Sequence, residues 1–196
     1  PWLHQYERCP FCCKVRAFFD YYCIEYEKVE VNPLSKKEIK FSTYRKVPLL
    51  RRESSGVQIN DSSLVISVLK SHHLGKLDVG TLLTYYPYVE ETNDERKQWW
   101  QRNKTRGEYM NIYRVMYGEE FSEKQNKAIL EEAKWRKWVD DVFVHTLAPN
   151  IYRNPRETLH AMEYIMQPGY FTQWEATAAY YVSSLIMYLL GKHLKP

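Results

Sequence analysis

The four residues Cys9-Pro10-Phe11-Cys12 constrain the fold more than any other feature of the chain. They sit between a short strand-like start, residues 2–6, and a stretch where Val15, Phe18, Phe19 and Tyr22 recur at i, i+3, i+4 and i+7, the spacing of a helix with one buried face. A CxxC that follows a strand and opens a helix is placed for thiolate chemistry. The helix dipole and the unbonded N–H groups of the first turn favour negative charge there. Cys9, at the exposed end of that turn, is expected to be the reactive, lower-pKa sulfur. Cys12, one turn in, is the candidate resolving thiol. A bare CxxC leaves two other readings open, a buried inert pair or a metal site. A zinc site would lack a second spaced Cys or Cys/His pair: Cys23 falls at the far end of the same helix, and His72 and His73 would have to fold back. No metal is expected.

The following segments read as a mixed α/β plan. Residues 24–31 form a second strand, ended by Asn32-Pro33. Ser35 and Glu38 have capping-box spacing and should start a short helix. Residues 47–50 and 57–59 read as two strands joined through Glu53-Ser54-Ser55-Gly56, a hairpin. Asn60-Asp61-Ser62-Ser63 supplies N-cap residues before Val65, Ile66, Val68 and Leu69. The order β-α-β-α-β-β-α, with CxxC opening the first helix, is the thioredoxin-like plan over residues 1–75. Residues 76–97, with Gly80 and Pro87, read as a linker. Residues 98–196 read as an all-α domain of four or five helices. Two of its apolar stripes are Trp135, Trp138, Val139, Val142 and Val182, Leu185, Ile186, Leu189.

Bulk properties exclude several classes. With 44% hydrophobic and 15% aromatic residues the chain is not a disordered one. A net charge of +4, from 28 basic and 24 acidic residues with no long basic run, does not point to nucleic acid. The cysteines Cys9, Cys12, Cys13 and Cys23 crowd into 15 residues, unlike a disulfide framework, so catalytic thiols in a reducing compartment are expected. The longest apolar stretch, residues 178–190, is too short to span a bilayer. No signal peptide is visible. A start at Pro1 inside a strand suggests a preceding segment.

Other residues qualify as site candidates. In a thioredoxin-like sheet the residue before the strand-opening proline faces the CxxC, so a cis Val47-Pro48 bond is expected, with the Val47 backbone offered to a peptide-like ligand. At Asp61-Ser62, N–H groups and a hydroxyl could bind a carboxylate while Asp61 accepts from an ammonium; a γ-glutamyl group carries both. Plain helix capping is the alternative. Tyr6, three residues before Cys9, could bring its hydroxyl to the thiolate or simply pack. His145 and His193 lie by the helical stripes. Tyr85, Tyr86, Trp99 and Trp100 read as packing or groove lining.

Longer motifs carry a resemblance. Residues 9–18 (CPFCCKVRAF), 29–33 (VEVNP), 38–42 (EIKFS), 44–48 (YRKVP), 60–63 (NDSS), 84–87 (TYYP), 134–138 (KWRKW) and 149–153 (PNIYR) resemble the membrane-associated type of prostaglandin E synthase, within the glutathione-transferase-like superfamily. The resemblance covers almost the whole chain and is poorest over residues 89–127. It implies a thioredoxin-like domain plus a helical domain that is incomplete relative to the family, which would expose residues 182–190. It implies an isomerase converting prostaglandin H2, a lipid endoperoxide, to prostaglandin E2, with Cys9 as the key thiol, Tyr6 supporting it and Cys12 nearby. It implies glutathione contacts at Val47, Pro48, Asp61 and Ser62. It further implies haem binding near His145, with a lyase activity of the haem-bound form, although His193 stands where the family has an arginine. A homodimer, Golgi-membrane or cytoplasmic location and membrane attachment through an N-terminal segment follow from the same resemblance. Two rival readings share the site: a glutaredoxin-like thiol–disulfide oxidoreductase and a non-catalytic glutathione- or haem-binding module.

Overall fold

The computed structural model describes residues 1–52, 56–91, 106–113, 123–166 and 173–193. It divides into two compact units, Pro1–Ile129 and Leu130–Pro196.

The first unit is built on a four-stranded sheet of order β2-β1-β3-β4. β1 (Trp2–Gln5) runs parallel to β2 (Glu27–Glu30), connected by helix α1 (Pro10–Tyr21). β3 (Leu49–Arg51) pairs antiparallel with β1 on one side and with β4 (Gln58–Asn60) on the other. This is the thioredoxin-like arrangement expected from the sequence. The middle of the described hairpin is closed by Arg52 N–H donating to the Val57 carbonyl at 3.0 Å. The Glu53-Ser54-Ser55 part of that turn, and Trp99 and Trp100, lie outside the described residues.

Strand alternation sorts the two faces. Leu3, Leu50 and Ile59 stand opposite one another in the ladder and share a face. Val15 and Phe19 of α1 pack onto that face, as do Leu64, Val65 and Val68 of α2 (Ser62–Gly75). Each such side chain contributes about 1.5–3 kcal/mol when fully buried. The other face carries Leu49, which clusters with Val31, Ile39 and Tyr44.

Local structure departs from the sequence reading in a few places. Ser35 does not start a capping box. The Asn32 carboxamide accepts from the N–H groups of Leu34 and Ser35 at 2.9 and 2.8 Å, and Glu38 reaches back to the Asn32 N–H at 3.0 Å. The Asn-Pro turn therefore captures the groups a cap would use, and only a 3-10 turn, Lys37–Ile39, follows. Past α2, α3 (Val79–Leu83) is no free-running connection: Val79, Leu82, Leu83 and Tyr86 are buried in the first core. Tyr86 also shares a 2.6 Å hydrogen bond with the Ser67 hydroxyl. A two-stranded ribbon, β5 (Tyr88–Glu91) with β6 (Arg106–Tyr109), was not signalled by the sequence pattern. Its described side-chain pair is aromatic, with Tyr88 and Tyr109 rings 5.0 Å apart.

The second unit is helical: α4 (Glu123–Trp138), begun in the first unit, a π turn (Val139–Phe143), α5 (Val144–Ile151), α6 (Pro155–Met166) and α7 (Gln173–His193). Asn154 caps α6, its side chain accepting from Glu157 N–H at 3.0 Å, and Pro155 fills the first turn where no donor is needed. No helix among the described residues is long and apolar enough to cross a membrane.

The apolar stripes of this unit are helical, yet they are not its buried faces. Trp135 is 57% exposed and Leu185 61%. α7 instead turns small residues inward. Ser184 and Gly191, two turns apart, are buried, and Ser183 lies against the Met162 sulfur at 3.2 Å. The reason is a close approach: a Cβ on Gly191 would lie 3.0 Å from the Tyr152 carbonyl oxygen and 3.1 Å from its Cβ. Gly191→Val is therefore expected to destabilise the protein by roughly 1–3 kcal/mol through overpacking. Val182→Ala, on the exposed side of the same helix, should stay within about 0.5 kcal/mol. Denaturant titration of both variants checks the contrast.

Candidate active site

The ladder register decides what meets at one end of the sheet. His4 stands opposite Leu49 and Leu49 opposite Asn60. The segment leaving β1 (Tyr6 to Cys12), the segment entering β3 (Val47-Pro48) and the segment leaving β4 (Asp61 to Ser63) therefore emerge at the same end. Tyr6 and Val47 both pack against the Val31–Leu49 cluster, and the Val47-Pro48 bond is cis, as the sequence reading expects. A cavity of about 280 Å³ lined by Leu50, Ile59, His72 and Val79 opens beside Arg52 and Val57. That is the opposite end of the ladder, so it plays no part in the thiol site.

Cys9 is the N-cap residue of α1, followed by Pro10 in the first turn. Its N–H donates to the Tyr6 carbonyl at 3.1 Å, which folds the loop back on itself. None of the cysteines forms a disulfide; Cys9 is partly buried, Cys12 fully buried and Cys13 exposed. The Cys9 thiol is lowered to about 6, first because the Cys12 thiol donates to it. The Cys12 and Phe11 amides and the Arg16 charge act in the same direction, against a penalty from burial. Cys12 is pushed up by the same shared proton and by burial. One proton thus serves two sulfurs and rests on Cys12, leaving Cys9 as the thiolate at neutral pH. Tyr6 is raised by burial and then by the negative charge of the neighbouring sulfurs, so its hydroxyl keeps its proton and can donate.

Arg16 is a site residue that sequence reasoning missed. It donates to Gln5 Oε1 at 2.6 Å, to the Glu7 carbonyl at 2.9 Å and to Cys13 Sγ at 3.1 Å. Gln5, fully buried, in turn donates to Glu30 at 2.6 Å and to Glu7 at 3.0 Å. The guanidinium therefore ties the loop before Cys9 to α1 and holds a positive charge beneath the thiols. Its one sequence signal is position: seven residues, two helical turns, beyond Cys9 on α1.

At α2, Asp61 adopts φ 70° and ψ 131°, a backbone region that costs a non-glycine residue about 1–3 kcal/mol. Its carboxylate offsets this by accepting from the N–H groups of Ser63 and Leu64, both at 2.9 Å to Oδ1. Both readings of this motif therefore meet in one residue. Capping is real, and it occupies two of the amides that a bound carboxylate was expected to use. Ser62, 2% exposed, stands beside them. All of Asp61's described side-chain bonds end on Oδ1, so Oδ2 remains for an ammonium.

His145 lies in the second unit, exposed on α5 two residues past the π turn, and His193 is exposed at the end of α7. No group of metal-binding side chains forms among the described residues.

If the shared proton activates Cys9, iodoacetamide should modify Cys9 with a pH midpoint near 6. Cys12→Ala should move that midpoint upward, because it deletes the largest stabilising contact while leaving the helix N-terminus in place. Alkylation rates followed by mass spectrometry between pH 4 and 9 check this.

Comparison with known proteins agrees with this architecture. Residues 3–76 match the family model "Glutathione S-transferase, N-terminal domain". The chain is 43% identical over 198 residues to prostaglandin E synthase 2 of Mus musculus, and 42% identical over 197 residues to that of Danio rerio. Each alignment covers 98% of this chain and 50% of the relative, so the chain spans about half the length of the curated relatives it matches. The chain thus has a glutathione-transferase-like fold, with residues 3–76 similar to the glutathione S-transferase N-terminal domain, and it is similar to prostaglandin E synthase 2 along nearly its full length.

Proposed function

We propose that the chain carries the thiol centre of a prostaglandin E synthase-type isomerase, converting prostaglandin H2 to prostaglandin E2. The observation that carries this reading is the reduced Cys9 held as a thiolate by Cys12, beside a protonated Tyr6, in a relative of prostaglandin E synthase 2. A neutral-pH thiolate next to a phenol suits cleavage of a weak O–O bond. Cys9 attacks the endoperoxide oxygen borne by the ring carbon that becomes the ketone. An S–O bond forms, the O–O bond breaks, and the second oxygen leaves as an alkoxide. Loss of the proton from that ring carbon then forms the C=O bond and breaks S–O, returning the thiolate. The alkoxide gains one proton, so the product is an isomer of the substrate with no net oxidation. Tyr6 supports the step by donating to the departing oxygen.

Glutathione fits the chemistry of the neighbouring residues. The Val47 backbone beside the cis proline suits a peptide-like ligand, Oδ2 of Asp61 suits its ammonium, and Ser62 can donate to its carboxylate. Bound glutathione would supply a thiol able to return an oxidised Cys9 to the thiolate. Haem takes no part in the proposal.

The neighbouring Cys12 favours a second reading, a glutaredoxin-like oxidoreductase, in which Cys12 resolves a mixed disulfide on Cys9. One experiment separates the readings. Reduced protein is incubated with prostaglandin H2 and the products are identified by mass spectrometry. The isomerase reading expects prostaglandin E2 formation that drops on the order of 10³-fold or more in Cys9→Ser and about 10²-fold in Tyr6→Phe. Unchanged turnover in Cys9→Ser would sink it. Background turnover in the unsubstituted protein, together with glutathione-dependent disulfide reduction that needs Cys12, would favour the oxidoreductase.

A further inference from the structure

We propose that Gln5 is a positioning residue for the thiol centre: its buried carboxamide stands between Arg16 and two carboxylates, and so leaves the guanidinium charge to act on the loop that carries Cys9. The inference rests on the thiolate reading of Cys9 given above.

Gln5 occupies a place where strand alternation calls for an apolar side chain. It falls on the sheet face of Leu3, the face that α1 covers, and it is fully buried. A buried amide is costly unless its polar atoms find partners. Here both of them do. Oε1 accepts from Arg16 at 2.6 Å. Nε2 donates to Glu30 at 2.6 Å and to Glu7 at 3.0 Å. Chemistry allows one orientation only. A guanidinium donates and carboxylates accept, so the amide turns its oxygen to Arg16 and its nitrogen to the glutamates. Glu30 is also the register partner of Gln5 on β2. The carboxamide is thus held from the neighbouring strand and presents a fixed acceptor to α1.

That arrangement sorts charge. The carboxylates are met by the Gln5 donors, while the guanidinium meets a neutral oxygen. The Glu7 carboxylate stays 3.6 Å from Arg16, beyond hydrogen-bond distance. The second Arg16 nitrogen bonds the Glu7 carbonyl at 2.9 Å and Cys13 Sγ at 3.1 Å, both in or next to the CxxC segment. The other titratable groups around the cluster are Lys28, 4.0 Å from Glu7, and Tyr26. Cys9 is lowered first by the Cys12 thiol, and the Arg16 charge adds to that effect. Without the Gln5 oxygen, Arg16 would lose its 2.6 Å acceptor and close on Glu7. An ion pair there would cancel part of the field at Cys9. Gln5 touches neither sulfur nor substrate, so its influence runs through Arg16.

The test is the pH midpoint of Cys9 alkylation by iodoacetamide in the reduced protein, read by mass spectrometry. Gln5→Met keeps the length of the side chain and removes its bonds. It should raise the midpoint by roughly half a pH unit, the scale of one partly screened charge. Arg16→Met should raise it by a similar amount, and adding Gln5→Met to Arg16→Met should change nothing further. Glu7→Gln should lower the midpoint more in the Gln5→Met protein than in the unsubstituted one. Gln5→Asn, which keeps an amide but withdraws it from Arg16 by one methylene, should give the same rise and serves if Gln5→Met does not fold. An unchanged midpoint in the Gln5 variants would overturn the proposal. So would an equal rise with and without Arg16, which would make Gln5 a packing residue. A midpoint near the ordinary thiol value in the unsubstituted protein would overturn the thiolate reading together with it.

Discussion

The pairing of His4 with Leu49 is the constraint on which the rest depends. It fixes which residues of β1 and β3 face each helix layer. A slip of one residue would send Leu3, Leu50 and Ile59 to the wrong side of the sheet. It also decides that Tyr6, Val47 and Asp61 leave the sheet at one end. The thiol site is thus a consequence of core packing: the ladder that buries Leu50 also brings Pro48 to the end of the sheet where the chain leaves β1 for α1.

Once that end is assembled, electrostatics does the rest locally. Cys9 lies where α1 presents its first amides, Cys12 lends it a proton, and Arg16 fixes a positive charge behind the loop. These effects outweigh the burial of Cys9, which by itself would push the thiol up. The Arg16 contacts are with neutral acceptors as well as with Glu7, whose carboxylate lies 3.6 Å away, so the charge is anchored but only partly compensated. Asp61 shows the same economy. A strained backbone position is tolerated because its side chain satisfies two amides at once.

The sequence revealed the first unit well, because its signals are local. Val15 and Phe19 at helical spacing, the N-cap at Asp61 and the Val47-Pro48 pair are each decided by near neighbours. It was less informative where tertiary contacts decide. Ser35 and Glu38 have the spacing of a cap, but Asn32 competes for the same groups. Val79 and Leu82 fall in a stretch that reads as a linker and still join the core. In the second unit, periodicity picked the large residues of α7, whereas the packed face consists of Ser184 and Gly191, chosen by how closely Tyr152 approaches. Arg16 was passed over because its partner, Gln5 on β1, becomes a neighbour only after the sheet has formed.

The most direct test of this account is to follow the Cβ resonances of ¹³C-labelled cysteine by NMR from pH 4 to 10, in the reduced protein. The account predicts that Cys9 titrates near 6 and that Cys12 remains protonated across that range. A Cys9 midpoint near the ordinary thiol value of 9, or ionisation of Cys12 before Cys9, would contradict it.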